Sequence, residues 1–202
     1  MKEMFFDGLF SVETVGEQKG FYDSLHYHRY EPTPYWALEQ LFEQYELKSS
    51  DRVVDFGCGK GRLNFFINHL FDASVVGIEM NETFYQAALA NRESYVQKKR
   101  GSLEKLHFQC CLAQEYEIQP SDNIFYFFNP FSVQIFMKII DNILRSVEEA
   151  YRDVELIFYY GSEDYIFFLE NHYAFERKEE IVLPGLYEKN ASEKFLIYTL
   201  SY

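Results

Sequence analysis

Asp55 and Glu79 bracket three glycines, Gly57, Gly59 and Gly61, set at every second position. Glycines so spaced allow a loop to take positive φ and to bring its backbone close to a ligand. An acid at the end of the following strand, where Glu79 falls, accepts hydrogen bonds from both hydroxyls of a ribose. The loop reads G-x-G-x-G, whereas a dinucleotide fingerprint reads G-x-G-x-x-G and is shaped for a pyrophosphate. A carboxylate two residues before the first glycine repels a pyrophosphate and suits a cationic amino-acid group instead. Farther on, F-F-N-P-F-S places Asn129 and the Pro130 carbonyl where each can accept a hydrogen bond from an amine. His26 and His28 can accept a proton near neutral pH, His28 being the better general base, or they simply pack.

Positioning these residues requires alternating strands and helices. Val53 and Val54 lead a strand into Asp55, and a helix is expected over residues 61–71 with Leu63, Phe66, Ile67 and Leu70 facing the sheet. Arg62 opens that helix, where a cation is unusual, so it should answer a carboxylate such as Asp55 or Glu79. A second strand covers residues 75–79, and Asn81 caps a helix that runs to Lys99. Strands follow at 106–110, 124–128 and 154–160, with a helix at 133–151 and another after the capping Ser162. The strand at 124–128 is almost wholly apolar, as a parallel strand covered on both faces should be, so Asn129–Pro130–Phe131 borders a crevice at strand carboxyl ends. Asn129 can equally be a cap for the next helix. Residues 181–183 and 195–200, joined through a Pro184–Gly185 turn, make an antiparallel pair. At the other end, residues 1–20 form a loose or short-helical lead-in. Thr33 caps a helix with Pro34 at its first position and an apolar stripe through Leu38, Leu41, Phe42 and Tyr45.

The strand, glycine loop, helix and spaced acid resemble motif I and motif II of the class I S-adenosylmethionine-dependent methyltransferases, over roughly residues 30–160. The resemblance implies an α/β fold: a doubly wound, mostly parallel seven-stranded sheet with an antiparallel C-terminal pair and a small N-terminal helical cap. Residues 1–48 would be the lead-in and cap, and residues 49–202 one S-adenosylmethionine-binding unit. It implies S-adenosylmethionine as cofactor, bound by Asp55, Gly57, Gly59, Gly61 and Glu79. The segment before motif I should close over the cofactor through Tyr30, Thr33 and Tyr35, unless these pack a cap helix. Many family members carry an acid after the third strand that holds the adenine amino group. This chain has Cys111, Leu112 and Ala113 there, so backbone at Ala113, or Gln114 and Glu115, would serve. The N-P-F turn is similar to the N-P-P-Y of amino-methyltransferases and, more weakly, to the N-x-F of Dot1-like lysine methyltransferases. Asn129, Pro130 and His28 are thus the expected catalytic residues, and nitrogen in a small molecule or protein side chain is the expected acceptor. Two other readings are a non-catalytic protein that keeps the cofactor site and, disfavoured by Asp55 and the loop pattern, a nicotinamide-dependent oxidoreductase.

Composition bounds the rest. The chain has 202 residues, 48% of them hydrophobic and 25% charged, the size and balance of one packed α/β unit. Aromatics make up 19%, with 21 Phe and 17 Tyr, enough for a broad apolar core and for a wall facing a flat or cationic ligand. Lys and Arg total 19 against 32 Asp and Glu, so a polyphosphate is repelled at long range and nucleic acid is a poor partner. The densest basic run, Lys98–Lys99–Arg100, is expected at a solvated helix end pointing away from the crevice. The three cysteines Cys58, Cys110 and Cys111 form neither a disulfide framework nor a zinc spacing, and are expected to be small buried thiols in a reducing compartment. No signal peptide or membrane span is visible, which points to the cytoplasm.

Overall fold

The computed structural model describes residues 2–16, 31–99 and 103–200. Seven strands form one sheet in the order β3-β2-β1-β4-β5-β7-β6. They are β1 (Arg52–Phe56), β2 (Ser74–Glu79), β3 (Leu106–Cys110), β4 (Ile124–Phe127), β5 (Glu155–Tyr159), β6 (Phe175–Val182) and β7 (Lys194–Leu200). β1 to β5 run parallel, and β7 enters antiparallel between β5 and β6. The order reverses between β1, which continues to β2, and β4 on its other side, so a crevice opens there at the strand carboxyl ends.

Helices cover both faces because the central strands are apolar on both. β4 is buried at every position. On one face Val53, Val75, Ile124 and Tyr126 meet α3 (Arg62–Phe71) through Leu63, Phe66 and Ile67. On the other, Val54, Phe125 and Phe127 meet α5 (Val133–Glu149) through Phe136, Ile139, Ile140 and Ile143. Phe136 stacks flat on Tyr165 of α6 (Glu163–His172), with ring centroids 4.0 Å apart. Ser162 caps α6 by accepting from the Tyr165 amide, as its sequence position indicates. Leu70 departs from expectation: it is 51% exposed, and the buried residues of α3 end at Asn68.

The N-terminal residues are wired onto this frame rather than laid loosely beside it. α1 (Lys2–Phe10) buries Asp7, whose carboxylate accepts from Thr14 N (2.7 Å), Val15 N (3.2 Å), Thr14 Oγ1 (2.6 Å) and the Tyr35 hydroxyl (2.7 Å). A buried carboxylate is tolerated when its lone pairs are met in this way. Glu13 trades backbone hydrogen bonds with the Asn91 amide of α4 (Glu82–Lys99). α2 spans Tyr35–Phe42, with Pro34 at its N-cap and no side-chain cap. Thr33 is therefore not the cap expected from sequence. Its hydroxyl instead reaches the Tyr126 hydroxyl at 2.8 Å, and Glu3 Oε1 accepts from the Tyr35 amide. Tyr45 lies beyond the helix yet is buried, donating to Glu155 Oε2 at 2.6 Å.

Candidate active site

β1 delivers Asp55 to the crevice, and the turn after it takes left-handed backbone at Gly57 (φ 81°), Gly59 (φ 55°) and Gly61 (φ 86°). Gly57 is required twice over, since a Cβ there would also lie 2.9 Å from Pro130 Cβ. The glycine turn after β1 and the N-P-F turn after β4 are therefore in direct contact. At Gly61 a Cβ would lie 2.7 Å from the Phe108 ring of β3.

Backbone holds Glu79 at the end of β2. Its Oε2 accepts from Gly59 N at 2.9 Å and its Oε1 from Asn81 N at 2.7 Å. The Asn81 side chain in turn accepts from Thr83 N and Phe84 N, capping α4 as expected. Burial raises the Glu79 carboxyl above its ordinary value despite those amides. Asp55 is deeper. The Asn64 amide, oriented to satisfy both neighbours, donates to Asp55 Oδ2 at 2.9 Å and accepts from Gly77 N at 3.2 Å. Burial first, and the Glu79 charge second, push Asp55 up to about 8. Two acids so placed hold a proton that a cationic ligand would displace.

One cleft is lined by Asp55, Gly57, Glu79, Thr33, Ala113 and Pro130, which sequence reasoning had singled out. Gly59 and Gly61 do not line it; they shape the turn behind it. Asn129 is not a lining residue either, although Phe128, Pro130 and Phe131 on both sides of it are. The N-cap of α5 is Ser132, so Asn129 is not the helix cap that was the other reading of it. It sits in left-handed backbone (φ 39°), a conformation that asparagine tolerates better than most residues. Tyr35 is not a lid residue. It is fully buried, hydrogen-bonded to Asp7 and stacked on Phe6 with centroids 4.8 Å apart. His28 and Tyr30, with His26, lie outside the described residues.

Arg62 lines the cleft but answers neither Asp55 nor Glu79. Its Nη1 donates to Glu3 of α1 and to the Thr33 carbonyl, and its Nε to Thr14 Oγ1. Sequence gave no hint of this, because Glu3 lies in a segment with no clear period. Cys111, which stands with Ala113 where relatives carry an acid, lines the cleft too, and Phe84, Tyr126, Phe128 and Glu31 are further lining residues that pattern alone did not mark. The signal for Phe128 was its place at the end of the apolar fourth strand. Of the cysteines only Cys58 is buried; Cys111 is half-exposed at the cleft and Cys110 is exposed, because β3 is an edge strand. Lys98 and Lys99 are not simply solvated: Lys98 Nζ donates to Gly8 O (2.7 Å) and Lys99 Nζ to Asn68 O (3.2 Å), while Arg100 lies outside the described residues.

Residues 35–128 match a family described as a methyltransferase domain. That segment, just under half of the chain, is thus similar to a methyltransferase domain. A protein-lysine N-methyltransferase of Saccharolobus islandicus (strain REY15A) is 34% identical over 80 residues, 39% of this chain and 50% of that protein. The chain thus spans about half the length of the curated relative it matches. Among solved structures, a human methyltransferase 10 domain containing protein superposes with a TM-score of 0.62 at 10% identity, over 98% of this chain and 93% of that one. An RNA methyltransferase from Salinibacter ruber, in complex with S-adenosyl-L-homocysteine, gives 0.53 at 17% identity, over 84% and 94%. At these identities the structural likenesses establish the fold. The methyltransferase domain as matched ends at Phe128, one residue past β4, so the N-P-F turn follows it immediately. Among the described residues no helix is long and apolar enough to cross a membrane.

Proposed function

We propose that this chain transfers the methyl group of S-adenosylmethionine to an amine nitrogen, with a protein lysine as the acceptor class. The observation that carries the reading is the contact of the two turns: Pro130 packs on Gly57, so the N-P-F turn closes the same cleft that Asp55 and Glu79 line. Asp55, once its proton is displaced, offers a negative partner to the ammonium of the cofactor's amino-acid group. Glu79 keeps acceptor capacity for a ribose hydroxyl, because a carboxylate offers about four lone-pair sites and the amides of Gly59, Asn81 and Met80 occupy only part of them. Ala113 borders the adenine region through backbone, in place of the acid that many relatives use there.

The positive sulfur already activates the methyl group, so the protein's task is to hold nucleophile, carbon and sulfur in line and to exclude water. Asn129 and the Pro130 carbonyl orient the amine. Phe128, Tyr126 and Phe131 form the aromatic side of the cleft, and Glu31 adds negative charge at its edge, a lining that favours a cationic alkyl amine. A lysine ammonium must lose a proton before attack, and His28 is the residue to take it. The printed name of the Saccharolobus islandicus relative supports lysine as acceptor. A polynucleotide acceptor fits poorly with a net charge of −13 and with Lys98 and Lys99 committed to α1 and α3.

The test is incubation of the protein with labelled S-adenosylmethionine and an extract, followed by fractionation and acid hydrolysis. The reading requires label in the protein fraction as methyl-lysine. Label in RNA would refute the acceptor class, and no incorporation despite cofactor binding would favour a non-catalytic protein.

A further inference from the structure

We infer that Glu31 and Glu193, at the β5 end of the aromatic wall, bind a second basic side chain of the acceptor protein. The target lysine is then one that has another lysine or an arginine close by. The inference rests on the lysine reading above and adds to it the sequence around the target.

The surface follows from strand order. β5 lies beside β4, and their last pair in register is Phe127 with Phe158, so Phe128 and Tyr159 come next, side by side. Their ring centroids are 4.6 Å apart, and Phe128 lines the cleft. β7 runs antiparallel to β5 and pairs Phe195 with Tyr159, the two rings stacked at 4.8 Å. The residues just before β7 therefore emerge at the same sheet edge as the cleft. Two hydrogen bonds fasten them there. The Tyr159 hydroxyl donates to Glu193 Oε2 at 2.7 Å, and Asn190 Nδ2 donates to the Tyr160 hydroxyl at 2.6 Å. The aromatic wall thus continues from Phe128 through Tyr159 to Tyr160, with half-exposed Glu193 beside it and exposed Glu31 on the cleft lining.

Charge says what this surface takes. Among the described residues neither Glu31 nor Glu193 forms an ion pair with a Lys or Arg, whereas Glu39, Glu155, Glu170 and Glu180 each do. Lys194, next in sequence to Glu193, is turned away: its Nζ pairs with Glu180 at 3.3 Å and lies 5.6 Å from the Tyr187 ring centroid. Lys189, just upstream, pairs with neither acid. Both acids act on one phenol. Burial first, then the Glu193 hydrogen bond and charge, and then the Glu31 charge hold the Tyr159 hydroxyl protonated well above its ordinary range. A neutral phenol occupies one lone pair of Glu193 and leaves both negative charges uncompensated. Ring edges and faces beside two carboxylates suit the stem and head of a lysine or arginine, and repel an acidic segment or a phosphate backbone. The surface is continuous with the cleft, so a segment whose lysine enters the cleft passes over it.

The experiment is methyl transfer by the full chain to synthetic lysine peptides. One arginine is moved stepwise along either side of the target lysine, and a peptide with alanine throughout is the reference. Wild type should favour one arginine position by about fivefold or more in kcat/KM, mainly through KM, the scale of a partly exposed ion pair. Added salt should shrink that preference. Glu193→Gln keeps an acceptor for the Tyr159 hydroxyl while removing the charge, and should bring the ratio toward one, as should Glu31→Gln. Glu193→Lys should reverse the choice and favour glutamate at the same position, which a merely structural Glu193 would not do. Should the Glu193 variants not fold, the wild-type panel and Glu31→Gln decide. Equal rates for all peptides in wild type overturn the inference and leave the lysine reading intact. A preference unchanged in folded Glu193→Gln and Glu31→Gln overturns it as well. No methyl transfer to any lysine, in the peptides or in extract protein, removes both readings.

Discussion

The cleft has two unlike walls. On the β1–β2 side the acids are held by directed hydrogen bonds: Glu79 by the backbone amides of Gly59 and Asn81, Asp55 by the Asn64 side-chain amide that Gly77 N fixes in turn. On the β4 side the lining is Phe128, Pro130, Phe131 and Tyr126, rings and a proline whose positions come from packing. Phe128 leans on Tyr159 (4.6 Å), and Phe131 meets Phe127 edge-on (6.2 Å). A polar wall fixed by hydrogen bonds recognises one ligand through the direction of its donors and acceptors. An aromatic wall admits by shape and by charge. The first is expected for an obligatory cofactor, the second for an acceptor that must enter, react and leave.

Four substitutions or titrations sharpen that contrast. The largest effect should come from Gly61→Ala, which combines left-handed backbone with a Cβ placed 2.7 Å and 2.9 Å from atoms of the Phe108 ring. Strain and overpacking together should remove about 3 kcal/mol of stability, read from denaturant melts. Asn129→Ala belongs to the acceptor side. It should lower kcat about a hundredfold, the scale of a lost transition-state hydrogen bond, with cofactor affinity nearly unchanged. Because alanine tolerates the left-handed backbone here (φ 39°) less well than asparagine, a loss of about 1 kcal/mol of stability is expected as well, and the rate is the discriminating readout. A variant that loses stability and keeps its rate would return Asn129 to a structural role.

Glu79→Ala should weaken cofactor binding by about 1.5–3 kcal/mol, as for hydrogen bonds to a charged group, with the fold intact. Unchanged affinity in the folded variant would take Glu79 off the ribose. The last effect is read as a slope against pH. Asp55 sits near 8 in the folded, ligand-free protein and at about 3.8 when unfolded. Between those values the folded state keeps a proton that the unfolded chain has released. Stability of the ligand-free protein should therefore fall as pH rises from about 4 to about 8, by at most roughly 1.4 kcal/mol per pH unit; below both values Asp55 contributes nothing. Glu79, also raised, adds in the same direction. Asp55→Asn should flatten the slope in melts taken across that range, and a slope unchanged by the substitution would show that the proton is held elsewhere.

The polar wall was legible in the sequence because its logic is local: strand, glycine turn, helix and a spaced acid lie within residues 53–79. The sheet followed from the same alternation, down to the antiparallel C-terminal pair. What escaped depends on contacts distant in sequence. Arg62 was paired in expectation with the nearest acids, but its partner is Glu3, fifty-nine positions earlier. Thr33 was read as a cap from its position before Pro34, but a hydrogen bond to Tyr126 ninety-three residues later took its hydroxyl. Tyr35 fits either a lid ring or a ring packed under the cap helix, and Asp7, drawing its hydroxyl inward, decides for packing. In each case one side chain had both a local and a tertiary use, and burial against a distant polar partner decided between them. The aromatic wall had no spacing rule to announce it at all.

The central claim is that the polar wall is built for S-adenosylmethionine, and calorimetry tests it most directly. Wild-type protein is titrated with S-adenosylmethionine, S-adenosylhomocysteine and NAD at pH 7, in two buffers of different ionisation enthalpy. The account predicts saturable binding of both sulfur ligands and none of NAD. It also predicts release of a proton on binding, because the ligand ammonium displaces the one that Asp55 holds. No binding of either sulfur ligand, or tighter binding of NAD than of both, would contradict it.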